Sequence, residues 1–390
     1  MAPASLLDSD FGRVANVCDL VEKRKHNNRR KMRLRSTKDY FLTRVAIVAG
    51  KAKISSKFSL AGNSVIKFPQ RAGLVGKDQG DTDALYDVVY LKDTDKPLPE
   101  TINYRTRYAY FKTIARGGKS LIMSCKDLHL SRVVCYKTLR PELANDPIEQ
   151  QRLLREARVS ALLQHPNTVP TYEVGRDSKG KLYFTMKLVH GYTLREVLDY
   201  RERYDLGQLV EVVVQIAQAL QYAHTHGVIH RDVKPENILV GPYGEVLLLD
   251  WGLAKVWHPD GTDVETSDAD EKDVGQGKTM TGRGKLQGSI CYMSPEQINR
   301  DAGIDGRADL FSLGSVLYEI LCGENPAVGE TMEDLKRSAL DDTPIAPGEI
   351  SQIPLPPRLE ALAMQCLSKD PAERPQTAAE LIRELNEDWR

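Results

Sequence analysis

A strand-rich stretch followed by a helix-rich one predicts an α+β chain with a small β lobe and a larger α lobe. Two features carry this expectation: three strand-like runs in succession between Tyr110 and Leu139, and long helical patterns from Leu206 to the C-terminus. The apolar share, 41% of 390 residues, is enough to build a sizeable core. A cleft between two such lobes is a usual place for a small ligand.

The first segment, 1–104, reads as an N-terminal extension of uncertain fold, without a chemistry-bearing motif. EKRKHNNRRKMRLRSTK, from Glu22 to Lys38, is densely basic. It fits best a solvated helix face or disordered arm; the alternative is a docking patch for an acidic protein partner, a membrane surface or nucleic acid. Nothing in it points directly to nucleic acid. FLTRVAIVAG and KFSLAGNSVIKF carry β-branched runs and read as short strands. KDTDKPLPET, from Lys92 to Thr101, reads as a linker.

The texture changes at about Arg105, and 105–390 reads as one domain, with lobes over 105–189 and 190–390. YFKTIARGG, SLIMSCKD and RVVCYKTL predict consecutive strands. A helix follows, with Asp146 as N-cap, Pro147 at its first position and an apolar stripe of Leu153, Leu154, Ala157, Ala161 and Leu162. KLYFTMKLV predicts a further strand. LGQLVEVVVQIAQALQYAHTHG predicts a helix stopped by Gly227. DLFSLGSVLYEILCG is apolar enough to be buried, and AAELIRELNEDW is amphipathic.

Charge and cysteine narrow the setting. Lys+Arg and Asp+Glu both total 54, so no global field steers the chain to nucleic acid or membrane. Cys18, Cys125, Cys135, Cys291, Cys322 and Cys366 form no CxxC pair, which argues against a zinc site or a disulfide framework. No apolar run approaches the roughly 18 residues of a transmembrane helix, and the N-terminus lacks a signal peptide's basic region. A cytoplasmic protein is expected.

Chemistry concentrates in two short stretches. In VIHRDVKPENILV, Asp232 and Asn237 stand five residues apart in a loop between apolar strands. Asp232 can orient a hydroxyl and take its proton late in a reaction. Lys234 can offset charge on a transferring phosphoryl group, and Asn237 offers a neutral oxygen to a metal. In LLLDWGLAK, Asp250 ends a buried strand, a fitting hard-oxygen ligand for Mg²⁺.

Together these stretches resemble the Hanks-type, eukaryotic-like Ser/Thr protein kinases, whose signature set is well described. HRDVKPEN matches the catalytic loop, DWG stands where the family has DFG, and SPE, from Ser294 to Glu296, matches the end of the activation segment. Asp309 in DLFSLG matches the helix that anchors the catalytic loop. Arg374 in ERP matches the arginine that pairs with Glu296. GSICYMSPEQ and DWGLAK look especially like bacterial members. The resemblance covers about Arg105 to Arg390 and implies a bilobal protein kinase fold, with ATP and Mg²⁺ as cofactors and Mn²⁺ as a second candidate metal.

It also implies a nucleotide side. Lys137 matches the lysine that holds the α- and β-phosphates, and Glu156 its helix partner. Met186 matches the back of the adenine pocket, and Lys187 to Val189 the hinge. The glycine-rich loop departs from the family's G-x-G-x-x-G: it reads Ala115-Arg116-Gly117-Gly118-Lys119-Ser120, with Ile122 behind it. Glycines let backbone N–H groups approach phosphate closely, so Ala115 and Ser120 imply a weaker clamp. Trp251 replaces a packing phenylalanine.

Arg231, a cation expected to lie buried beside the base, implies activation by a phosphate on the long polar segment that follows Asp250. Thr279 and Thr281 fall where bacterial members carry activating threonines, which implies autophosphorylation and a transient homodimer. Lys234 resembles the Ser/Thr-specific loop, and Ser289 matches the residue that contacts Asp232 and Lys234. The implied activity is ATP-dependent phosphorylation of protein hydroxyls. The alternative, raised by the glycine loop and Trp251, is a pseudokinase or scaffold that binds nucleotide or partners.

Overall fold

The computed structural model describes residues 97–98, 107–256, 289–301 and 303–387. The basic run, the two early strand expectations, nearly all of the expected linker, Cys18, Thr279 and Thr281 lie outside the described residues.

The first lobe is a five-stranded antiparallel sheet in the order β1-β2-β3-β5-β4. Its strands are β1 (Tyr108–Arg116), β2 (Ser120–Asp127), β3 (Arg132–Leu139), β4 (Thr171–Arg176) and β5 (Leu182–Lys187). The β2–β3 register sets Ile122 opposite Lys137, and β3–β5 sets Cys135 opposite Met186. Helix α1 (Pro147–Leu162) packs on this sheet. Asp146 caps it by accepting from the N–H groups of Ile148 and Glu149, and Pro147 needs no partner there.

The buried face of α1 differs from the expected stripe. Leu153, Glu156, Ala157 and Val159 are buried, whereas Ala161 and Leu162 are exposed. Nine residues are two and a half helical turns, so Leu162 points away from Leu153. Leu163, one residue past the helix, turns back into the core.

The second lobe is helical. After the short β6 (Tyr192–Thr193) come α2 (Leu194–Leu198) and α3 (Leu206–Thr225). Gly227 follows α3 with φ of 71°, the left-handed turn that ends the helix. Then β7 (Val228–Ile229), β8 (Ile238–Val240), β9 (Val246–Leu248) and β10 (Lys255–Val256) form two small sheets, β6-β8-β9 and β10-β7. The described helices beyond are α4 (Pro295–Asn299), α5 (Arg307–Cys322), α6 (Met332–Asp341), α7 (Pro347–Ile350), α8 (Pro357–Cys366) and α9 (Ala378–Asn386).

Helix α5 is the centre of the lobe. Every residue from Ala308 to Leu321 is buried, so the helix is enclosed on all faces; most are apolar, and the buried Asp309 and Glu319 are hydrogen-bonded. It packs on α3 and α8. Gly314 allows the α8 contact: a Cβ there would stand 2.3 Å from the Cβ of Cys366. Among the described residues no helix is long and apolar enough to cross a membrane.

Candidate active site

The loop between β7 and β8 is held from below by one carboxylate. Asp309, fully buried near the start of α5, accepts from the backbone N–H of His230 at 2.8 Å and of Arg231 at 2.8 Å. Its Oδ2 also meets His224 Nε2 at 2.8 Å. Burial alone would raise the Asp309 pKa, but these hydrogen bonds and the nearby histidines outweigh it and hold the group below its ordinary value. The buried His230 bonds the carbonyl of Leu249 through Nε2 at 3.1 Å and accepts the Asp232 N–H on Nδ1 at 3.2 Å. Arg231 takes φ of 65° to make the bend.

This bend holds Asp232 half-buried, with its carboxylate already engaged. Lys234 Nζ donates to both of its oxygens, at 2.6 and 2.7 Å, and Asn237 Nδ2 donates to Oδ2 at 2.8 Å. Lys234 also donates to Ser289 Oγ at 3.1 Å, so the ammonium stands between Ser289 and Asp232. Burial lowers the Lys234 pKa, yet Asp232 more than offsets that and the group stays charged above its usual range.

Asn237 donates a second time to the Asp232 carbonyl at 2.8 Å. Both amide hydrogens are thereby committed, and the amide oxygen is left as a ligand atom. The Leu249 N–H bonds the Asn237 carbonyl at 2.8 Å, which brings Asp250 alongside. Asp250 adopts φ of 62°, so its carboxylate turns out of the strand; its side chain is 47% exposed. Lys137 chiefly, 3.9 Å away, and then Lys234 keep its pKa below the ordinary carboxylate value, which the partial desolvation of this half-exposed group would raise. One ionised carboxylate and one oriented amide oxygen fit a hard, oxygen-seeking Mg²⁺ that completes its shell with phosphate and water. Among the described residues no group of three His, Cys, Asp or Glu side chains could hold a metal by itself.

The residues expected to hold the nucleotide come from the first lobe. Lys137 on β3 bonds Glu156 on α1, both being buried. Burial disfavours the Lys137 ammonium, but Glu156 and Asp250 overcome it and push the pKa above the lysine range. Burial raises the Glu156 carboxyl, and the ammonium pulls it back. Above Lys137, Ala115, Ile122 and Cys135 form an apolar cluster that Met186 and Leu188 touch. Below, Val189, Leu239 and Leu249 form another that Met186 also touches. Met186 therefore links an apolar roof to an apolar floor. Cys135 and Leu239 were not read from the sequence. For Cys135 the signal is alternation, since it lies two residues from Lys137 on β3; Leu239 has no such signal, because Asn237 precedes β8 rather than belonging to it.

The glycine loop is a tight turn. Ala115 is buried in β1 opposite Ile122, and Ser120 begins β2. The Gly117 N–H bonds the Ser120 carbonyl at 2.9 Å, and neither Gly117 nor Gly118 uses a positive φ. The Lys187 side chain is exposed, and its N–H bonds the Pro170 carbonyl at 2.9 Å.

Arg231 departs from expectation. It is only half-buried, and Nε donates to the Leu253 carbonyl at 2.7 Å. The left-handed bend that aims Asp232 inward turns the Arg231 side chain outward. Gln297, unread in the sequence, bonds the Arg231 carbonyl at 2.8 Å and ties the loop to α4. Arg374, 2% exposed, makes a two-point pair with Glu296 at 2.6 and 2.9 Å. Trp251 is buried edge-on against His230, with ring centroids 4.5 Å apart.

A protein kinase domain model matches residues 108–386. The chain belongs to the protein kinase family. This kinase is 35% identical over 282 residues to the serine/threonine-protein kinase PknB of Mycolicibacterium smegmatis, and 36% identical over 282 residues to PknB of Mycobacterium leprae; each alignment spans 72% of this chain and 42% of the relative. It is 33% identical over 295 residues to the serine/threonine-protein kinase PknD of Protochlamydia amoebophila, covering 71% of this chain and 29% of that protein. The kinase thus spans less than half the length of these curated relatives. The expected Hanks-type kinship and two-lobed fold hold.

Proposed function

We propose that this kinase transfers the γ-phosphoryl group of ATP to a serine or threonine hydroxyl of a protein. One observation carries the reading: Lys234 joins Asp232 to Ser289, so a carboxylate, a cation and a hydroxyl five residues before SPE meet at one point. Asp232 receives the acceptor hydroxyl and takes its proton as the oxygen–phosphorus bond forms and the bond to the ADP oxygen breaks. Lys234 offsets charge on the moving phosphoryl group. Lys137 holds the α- and β-phosphates, braced by Glu156, and Met186 and Val189 border the adenine. Asn237 and Asp250 would hold Mg²⁺, which supplies charge neutralisation on the phosphates.

The same reading extends to regulation. Phosphorylation of Thr279 or Thr281, by a transiently paired second copy, would draw Arg231 from the Leu253 carbonyl to the new phosphate. Mass spectrometry after incubation with Mg·ATP tests this; a chain that phosphorylates substrate while both threonines stay unmodified defeats it.

The decisive assay is radiolabel transfer from ATP to a generic protein acceptor. Asp232→Asn should lower the rate by about a thousandfold, within the span of general-base catalysis. Transfer that survives this change, or none by the parent kinase, refutes the assignment.

A further inference from the structure

An ionic cluster outside the proposed catalytic set joins four elements. Arg195 on α2 donates through Nε to Glu236 Oε1 at 2.9 Å. Nη1 donates to Glu319 Oε1 at 2.5 Å, and Nη2 to Glu319 Oε2 at 3.1 Å and to the Tyr292 hydroxyl. Tyr292 in turn donates to Glu319 Oε2 at 2.5 Å. Two carboxylates therefore share one guanidinium, and one negative charge is left over.

The cluster adjoins the acceptor position by two routes. Glu236 lies two residues after Lys234 in the catalytic loop. Tyr292 lies three residues after Ser289, which bonds Lys234, and the Tyr292 N–H bonds the Ser289 carbonyl at 3.1 Å. It is a cup rather than a sealed core. The Glu319 side chain at its base is 7% exposed, whereas Arg195 and Glu236 at its mouth are 23% and 27% exposed.

Resting on the protein-phosphorylation reading above, we propose that Arg195 is a specificity-determining residue that fills, from within the chain, an acidic cup that a basic residue of the protein substrate would otherwise occupy. The guanidinium fork satisfies the carboxylates in the geometry that arginine matches best. A substrate arginine reaching toward Glu236 meets a like charge already seated there. Specificity built by such a repulsive element shows itself when the element is removed. Without Arg195, two carboxylates stand unneutralised behind an open mouth.

The test compares paired acceptor peptides, identical except that an alanine near the acceptor is replaced by arginine, scanned over the positions on both sides. The parent kinase should show a ratio of kcat/KM, arginine peptide over alanine peptide, near or below unity throughout. Arg195→Ala should raise that ratio about tenfold at one or two positions, the worth of a charge-assisted hydrogen bond. Millimolar ethylguanidinium should return it toward the parent value. A merely structural role would lower both peptides alike, and a flat ratio overturns the proposal. Should Arg195→Ala give no cooperative melt, Arg195→Lys keeps one cation without the fork and should raise the ratio by less; no rise there also overturns it. If the parent kinase transfers no label at all, the function reading fails on its own. Fluorescence anisotropy of the same peptides then decides: Arg195→Ala must bind the arginine peptide more tightly than the parent does, and equal binding sinks the proposal.

Discussion

The two sides of the candidate site are built differently. The catalytic loop is over-determined: Asp309, His230, Asn237, Lys234 and Gln297 each fix it by direct hydrogen bonds, and its base is the most enclosed helix of the lobe. The nucleotide side is an assembly across elements. Lys137 comes from β3, Glu156 from α1 and Asp250 from beyond β9, and Lys137 and Asp250 stand 3.9 Å apart. Function and stability therefore share the same atoms on the loop side. On the nucleotide side they separate.

The harshest break of that comparison is Asp309→Asn. An amide in the same place turns N–H groups toward donors that the carboxylate now accepts. Buried donors without a partner cost roughly 1–3 kcal/mol each. A loss of about 3 kcal/mol in urea unfolding at neutral pH is expected, with transfer falling at least a hundredfold. The pH dependence gives a second reading. Because the folded pKa of Asp309 lies below its ordinary 3.8, its contribution is complete above that value and fades as pH falls through the folded one. The gap between parent and variant should stay constant above about pH 5 and close on further acidification. A neutral-pH variant as stable as the parent would remove Asp309 as the loop's anchor.

Lys137→Met tests the opposite side. On the proposed function the phosphates lose their cation, so transfer should fall by more than a hundredfold, in the range of a lost electrostatic donor. Stability should change by about 1 kcal/mol or less at mildly acidic pH, because burial already favours a protonated Glu156 and the carboxyl can neutralise itself. With Lys137 gone, the folded Glu156 pKa lies above its unfolded value. That contribution is present at low pH and lost as pH rises through the folded pKa. The variant should therefore weaken steadily from about pH 5 upward, which thermal melts across pH would show. A melt independent of pH would mean that the nucleotide side is as rigidly wired as the loop.

What the sequence made legible follows the same division. HRDVKPEN and LLLDWG are local patterns, so the positions of Asp232, Lys234, Asn237 and Asp250 could be read from spacing alone. The Asp146 cap and the three strands before it also rest on local chemistry, and the strands appear within two residues of expectation. Contacts across long stretches of chain could not be read that way. His224 meets Asp309 85 residues on, Gln297 meets Arg231 across 66, and Arg195 meets Glu319 across 124. No periodicity encodes such pairings. Strand β4 escaped notice because TYEVGR alternates between half-buried and exposed positions, without a buried face to mark it. Arg231 was expected to be buried and is half-buried, because a left-handed backbone turns its side chain outward.

The gentlest change sits where the two sides meet. Trp251 follows Asp250 and packs against His230, so it touches both the strand end that carries Asp250 and the loop that carries Asp232. It lies in the main core with 3% exposure, and its buried indole Nε1–H has no acceptor among the described residues. Trp251→Phe removes that orphaned donor, whose burial costs about 1–3 kcal/mol. It also leaves a void where the second ring was, at about 24 cal/mol per Å³ of unfilled space. These effects oppose one another and are of similar size, so the melting free energy should move by no more than about 1 kcal/mol. Because the edge-on contact with His230 needs only one aromatic ring, transfer should stay within about threefold of the parent. A deficit above about 2 kcal/mol would show that the indole fills space the smaller ring cannot. In that case the junction belongs with the rigid catalytic loop rather than with the nucleotide side.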